Sequence, residues 1–209
     1  MARCIGSVCK LCRREGEKLF LKGARCESAK CAIVKRNYQP GQHSWSRGRP
    51  SDFGVRLREK QKLKRFFGVT ERSFRLVFER AARLPGNTGE HILTLLQQRL
   101  DHVIYLVGVT LSRRHARQLI THGHVYVNGR RCNIASALVR RGDAITFSKR
   151  EKVMKHLKEC QESRKGDAVP SWLQFDEAAF TARVAELPKR ENLEFPVDEQ
   201  LVVEHFSRR

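Results

Sequence analysis

The chain has 209 residues, with 42 Lys and Arg against 22 Asp and Glu and a formal net charge of +20. That length can bury a sizeable core, and 40% apolar residues with eleven Phe argue against wholesale disorder. No apolar run reaches the roughly 18–20 residues of a membrane span, and Met1-Ala2-Arg3-Cys4-Ile5-Gly6 lacks the apolar stretch of a signal peptide, so a soluble, cytoplasmic protein with no membrane partner is expected.

Residues 1–50 form a first segment rich in Cys, Gly and basic residues, with 12 basic and 3 acidic side chains and little periodicity. Pro40-Gly41-Gln42-His43 and Arg47-Gly48-Arg49-Pro50 break it. Residues 51–91 read as helical. Ser51 is expected to cap a helix running to about Phe67, whose middle, Arg56 to Arg65, is strongly basic. Thr70 caps the next helix, where Phe74, Val77, Phe78 and Ala81 fall on one face. Asn87-Thr88-Gly89 breaks it, and helical spacing then runs without interruption from Ile92 to Val107. Ser112 caps a short helix, Arg113 to Ile120. After Gly123 the period becomes two, and Asn128-Gly129 between alternating residues signals a β-hairpin. A further strand follows at Ala144–Phe147, and 149–165 reads as a charged helical connector. Residues 92–165 are therefore a compact module and 166–209 a mixed tail, broken at Pro188 and Pro196 and ending in a helix capped by Asp198. The fold class is α+β.

Charge is unevenly spread along these segments. The first 150 residues carry +22 and the remaining 59 carry −2. A folded chain with that much repulsion points to a polyanion as partner. Its sharpest constellation is the helix start at Ser112, where exposed N–H groups and the helix dipole attract phosphate and Arg113, Arg114 and Arg117 add charge-assisted donors. Arg130 and Arg131 at the hairpin tip lie within reach of the same ligand, and no carboxylate occurs between Asp101 and Asp143. His115, His122 and His124 have no Ser/Asp or Cys/Asp partner nearby, and no phosphate-cradling Gly-rich motif, His-Glu-x-x-His or Gly-x-Ser-x-Gly is present. The chain is not expected to be an enzyme. Distributed arginines with few aromatics fit shape reading of folded RNA better than single-strand stacking.

Five of seven cysteines crowd the start. Cys9-x2-Cys12 and Cys26-x4-Cys31 have the spacing of two knuckles that together complete a tetrahedral four-sulfur shell for one structural Zn2+. Free thiols in a basic loop and an iron–sulfur cluster are the other readings. Cys4 stands outside both pairs, and Cys132 and Cys160 read as small buried residues.

Motifs along the whole chain resemble one family. They are Cys9-x2-Cys12-Arg13-Arg14-Glu15-Gly16, Leu19-x-Leu21-Lys22-Gly23, Pro40-Gly41-Gln42-His43, Leu57-Arg58-Glu59-Lys60-Gln61-Lys62, Ser112-Arg113-Arg114-x-Ala116-Arg117-Gln118, His122-Gly123-His124-x-x-Val127-Asn128-Gly129-Arg130 and Pro196-Val197-x-Glu199-Gln200-Leu201. This pattern is similar to the bacterial small-ribosomal-subunit protein S-four family, in its zinc-bearing type. The resemblance implies a mostly helical first domain, interrupted by an RNA-binding module of alpha-L type and completed by the C-terminal tail. It implies a ribosome-bound structural protein that binds small-subunit ribosomal RNA first and nucleates assembly of the subunit body. Other implied partners are ribosomal protein S-five, with an effect on translational accuracy, other small-subunit proteins, and messenger RNA near Arg47 and Arg49. The RNA-binding residues implied are Arg13, Arg14, Arg47, Arg49, Arg58, Lys60, Lys62, Arg113, Arg114, Arg117, His122, Asn128, Arg130 and Arg131. The chain departs from the family at Cys4, where an aromatic is expected, and at Ser44, where Gly is usual.

Overall fold

The computed structural model describes residues 6–44, 48–164, 168–190 and 195–207. Cys4 and Arg47 lie outside them. The chain divides into two compact units: one runs to Leu93 and takes back the final helix, and the other begins at Thr94.

The first unit opens with α1 (Val8–Glu15), a 3-10 turn (Gly23–Cys26) and the short α2 (Ala32–Lys35). Long helices follow, α3 (Asp52–Phe66) and α4 (Glu71–Ala82), and the unit closes with α9 (Glu199–Ser207). The expected caps are in place. Ser51 Oγ accepts from Gly54 N–H at 3.2 Å and Thr70 Oγ1 from Ser73 N–H at 3.3 Å. Asp198 Oδ1 accepts from Gln200 N–H at 3.0 Å and Leu201 N–H at 3.3 Å. Each satisfies helix-start donors that would otherwise lack partners. Leu63, Phe66, Phe74, Ala81, Phe195 and Val202 are buried. Phe66 stacks on Phe195 with ring centroids 4.1 Å apart, so the end of the chain completes the helical core.

The second unit has α6 (Leu100–Leu106), α7 (Arg113–Thr121), α8 (Glu151–Ser163) and five antiparallel strands. These are β1 (Val125–Val127), β2 (Arg130–Cys132), β3 (Ala144–Phe147), β4 (Leu173–Asp176) and β5 (Thr181–Val184), in sheet order β2-β1-β3-β5-β4. Period-two alternation sends Val125, Ile145, Phe147, Ala182 and Val184 into one core with Leu100, Val103, Ile104, Ala116, Ile120 and Leu157 from the helices.

Two sequence expectations are corrected. The single helix from Ile92 to Val107 is two: α5 (Thr88–Gln97) stops, Arg99 is extended, and α6 restarts at Leu100. Its backbone turns aside to pair with residues 135–139: Leu100 N–H donates to Ala137 O at 2.8 Å and Val139 N–H to Gln98 O at 2.9 Å. The tail from 166 does not pack as one piece on the helical domain. Its β4–β5 hairpin joins the module's sheet through Ala144↔Arg183 and Ile145↔Ala182, and only the end of the chain, Phe195 and α9 among the described residues, returns to the helical unit. Edge pairing drives this, because β3 offers an open row of backbone groups that β5 satisfies.

Candidate nucleic-acid interface

Ser112 Oγ accepts from His115 N–H at 3.3 Å and starts α7, whose first turn holds no acidic residue. Ala116, Leu119 and Ile120 anchor the inner face of the helix. Its three arginines meet different fates. Arg114 is exposed. Arg113 Nε donates to His102 Nδ1 at 3.0 Å, and its guanidinium lies over the Tyr105 ring at 4.3 Å. Burial lowers its pKa to about 10 and nearby Arg164 adds to that, against the opposing pull of Tyr105 and Asp101. Arg164 covers Tyr105 as well, at 4.4 Å. Arg117 reaches Asp101 Oδ2 at 3.4 Å. That carboxylate is already gripped by buried Arg99 at 3.0 and 2.7 Å. Two of the three arginines thus also hold α7 in place.

Asn128 and Gly129 both have positive φ, +50° and +76°, as a tight type I′ hairpin turn demands. Asn128 Nδ2 donates to Asp143 Oδ1 at 2.8 Å and its Oδ1 accepts from Ala144 N–H at 2.9 Å, so this side chain ties the turn to β3. Arg130 is exposed beside it. Arg131 donates from Nε to Gly123 O at 3.1 Å and from Nη2 to His122 O at 3.2 Å, drawing the hairpin against the end of α7. His122 is exposed there, and burial followed by Arg150, His122 and Arg131 lowers the pKa of His124. Neutral imidazole is therefore favoured at His124.

In the helical unit the basic residues of α3 are mostly committed inward. Lys60, only 4% exposed at its side chain, meets Glu71 at 2.6 Å. Lys62 meets Glu17 at 3.0 Å and Glu59 at 3.4 Å. Arg58 and Arg65 both bind Glu15, whose pKa is raised because burial outweighs the two guanidiniums. Burial also pushes Glu71 upward, but hydrogen bonds from Lys60 and Lys64 prevail and hold it at about 2. Arg13 donates to Tyr38 O at 2.9 Å and Gln39 O at 3.3 Å, and Arg14 to Gln39 Oε1 at 3.1 Å. Arg49 is exposed. The helix expected after Thr70, α4, also carries a basic face that is not among the expected RNA-binding residues. Arg72, Arg75, Arg80 and Arg83 are exposed along the face opposite Phe74 and Ala81, and none has a side-chain hydrogen bond or ion pair among the described residues. Plotting the polar face at 3.6 residues per turn would have revealed it.

Of the four N-terminal cysteines, Cys12, Cys26 and Cys31 are buried and Cys9 is half-buried. Cys9 and Cys12 sit on α1, Cys26 ends the 3-10 turn, and Cys31 precedes α2. Burial raises the Cys12 and Cys26 thiols, and the neighbouring cysteine sulfurs raise them further. Backbone N–H groups of Leu19 and Lys22 point at those two sulfurs. Among the described residues, the group of three metal-ligating side chains with donor atoms within 4.8 Å of one another lies elsewhere, at His115, His156 and Cys160. No helix among the described residues is long and apolar enough to cross a membrane.

A helical N-terminal domain followed by a helix-and-hairpin module with an antiparallel sheet defines the class, an α+β protein with an S4-type RNA-binding module. Residues 3–97 match the family described as Ribosomal protein S4/S9 N-terminal domain, and residues 98–145 match the S4 domain. Small ribosomal subunit protein uS4 of Pelotomaculum thermopropionicum is 51% identical over 208 residues, covering all of both chains. The uS4 of Thermus thermophilus is 51% identical over 209 residues, and uS4A of Alkaliphilus metalliredigens is 50% identical over 208, again with both chains fully covered. The chain belongs to the small ribosomal subunit protein uS4 family.

Proposed function

We propose that this protein is a structural, non-enzymatic constituent of the small ribosomal subunit that binds its ribosomal RNA early and nucleates assembly of the subunit body. The observation that carries this is likeness over the full length of both chains to proteins named for that subunit. Arg114, Arg130 and Arg131, with His122, meet phosphates and 2′-hydroxyls of a folded RNA at the α7 start and hairpin tip. Arg113, Arg117 and Asn128 act mainly by fixing those elements, and Lys60, Lys62 and Arg58 by fixing α3. The α4 arginines offer a separate RNA-facing surface on the helical unit. Arg13 and Arg14 brace the segment at Tyr38 and Gln39, and Arg47 and Arg49 contribute basic charge for messenger RNA. The near-neutral C-terminal segment suits a protein neighbour, such as ribosomal protein S-five, through which an influence on accuracy is exerted.

Cys9, Cys12, Cys26 and Cys31 fit one structural zinc ion. All four donors are thiols, three are buried, and two already accept backbone N–H bonds of the kind that support metal-bound sulfur. When bound, the ion supplies a rigid cross-link in a segment with little apolar core. With four sulfur ligands it leaves no open position for catalysis.

The test measures binding of the full chain to isolated small-subunit ribosomal RNA, to tRNA and to duplex DNA, at several salt concentrations. Preference for the ribosomal RNA is expected, with co-sedimentation on small subunits in high salt. Equal affinity for all three ligands would overturn the reading.

A further inference from the structure

The cluster at His115, His156 and Cys160 has no part in the function above. His156 and Cys160 are four residues apart on α8 and therefore share one face. His115, in the first turn of α7, meets them from the other helix. The two imidazoles point Nε2 at Nε2 across 3.1 Å, and Cys160 Sγ lies 3.8 Å from His156 Nε2. All three donor atoms are within 4.8 Å of one another.

Two ring nitrogens facing each other can share only one proton, whereas a metal ion uses both lone pairs. A tetrahedral ion with Zn–N near 2.05 Å and Zn–S near 2.3 Å would set N···N at about 3.3 Å and N···S at about 3.6 Å. The observed 3.1 and 3.8 Å lie close to those separations, and the His115–Cys160 pair, within 4.8 Å, closes on the ion by rotation of the two imidazoles. Outer contacts are of the right kind too. Glu159 Oε2 lies 3.8 Å from His156 Nδ1, the nitrogen that faces away, and Leu111 N–H donates to the Cys160 sulfur. Cys160 is buried while His156 is 53% exposed at its side chain, so a fourth position opens to solvent.

We propose that His115, His156 and Cys160 form a second metal site, binding one divalent transition-metal ion of the zinc type and clamping α7 to α8. The residues are independent of the four N-terminal cysteines, so this proposal stands or falls separately from the first zinc. With one thiolate, the loaded site adds a net positive charge beside the arginine-bearing start of α7, favouring phosphate there.

Full-length protein, wild type and the variants H156A and C160S, is equilibrated with Zn2+ alone under reducing conditions, dialysed against a weak chelator and analysed for metal. Wild type is expected to retain one more zinc per chain than either variant. Zinc should also slow amide exchange in α7 and α8 of the wild type alone. The exposed position of His156 makes H156A the variant to rely on if C160S does not fold. Equal zinc content in wild type and H156A would overturn the proposal, whatever the N-terminal cysteines hold.

Discussion

Asp101 tests the scaffold beneath the arginine helix. Its carboxylate and the Arg99 guanidinium are each 6% exposed at the side chain and joined by two hydrogen bonds, while Arg117, 19% exposed, adds a third contact at 3.4 Å. Replacing Asp101 by Ala leaves the Arg99 charge buried without its counterion. Breaking a buried pair in this way costs about 3–5 kcal/mol. Arg117→Ala takes from Asp101 the longer, better-solvated contact and leaves Arg99 paired, so it is expected to cost under about 1 kcal/mol. Urea unfolding reads the difference through Trp172, which is buried in the core of this unit, after Trp45 is replaced by Phe. With a urea slope of about 1–3 kcal/mol per molar, Asp101→Ala lowers the midpoint by more than about 1 M. A loss below 1 kcal/mol for Asp101→Ala, or equal losses for the two variants, would refute the claim that Asp101 is the buried counterion on which Arg99 and α7 depend.

Other expectations follow the same logic. Glu71 has its pKa held at about 2, so its stabilising contribution is complete above the ordinary carboxylate value and fades as pH falls towards 2. Because its side chain is 43% exposed, solvent screening reduces that contribution to about 1 kcal/mol; Glu71→Gln should show this deficit at pH 7 and only a small remnant of it at pH 2 in urea melts. Gly123 has φ +72° and an added Cβ would collide with the Arg131 guanidinium. Gly123→Ala is therefore expected to cost about 2–3 kcal/mol, and combining it with Arg131→Ala should cost less than the two separate losses added together. Substituting Arg114 and Arg130 together should reduce the salt dependence of ribosomal RNA binding by about two units of slope, whereas Lys60→Ala should lower stability and leave the slope unchanged.

Local signals in the sequence were strong where one short-range rule acted. Ser51, Thr70, Ser112 and Asp198 cap the helices expected of them, and Asn128-Gly129 makes its hairpin. Interactions distant in sequence were invisible. Nothing near Gln98 says that its backbone will pair with Val139, although that pairing is what interrupts the apolar stripe from Ile92 to Val107. Nor does the composition of 173–184 announce its strands, since their stability comes from the open edge of β3. Side-chain roles were read least well. A basic triplet looks alike in sequence whether it faces solvent or a buried carboxylate, and only the fold separates exposed Arg114 from half-buried Arg113.

Acidic residues explain this separation. Glu15 takes Arg58 and Arg65, Glu71 takes Lys60 and Lys64, Glu17 and Glu59 take Lys62, and Asp101 takes Arg99 and Arg117. Most of the cations held this way lie at or near the core, where an unpaired charge would be costly, Arg58 being the more exposed member. The acids that hold them are half of the ten carboxylates in the first 150 residues, which leaves five there to offset Arg49, Arg72, Arg75, Arg80, Arg83 and Arg130, exposed without an ion pair among the described residues. Internal pairing therefore strengthens the outer field, because acids spent inside cannot soften the surface. A chain of the same composition with its carboxylates on the α4 face or the hairpin tip would keep a net charge of +20 and attract phosphate less well. Placement of the acids, more than the number of bases, suits this fold to a folded RNA.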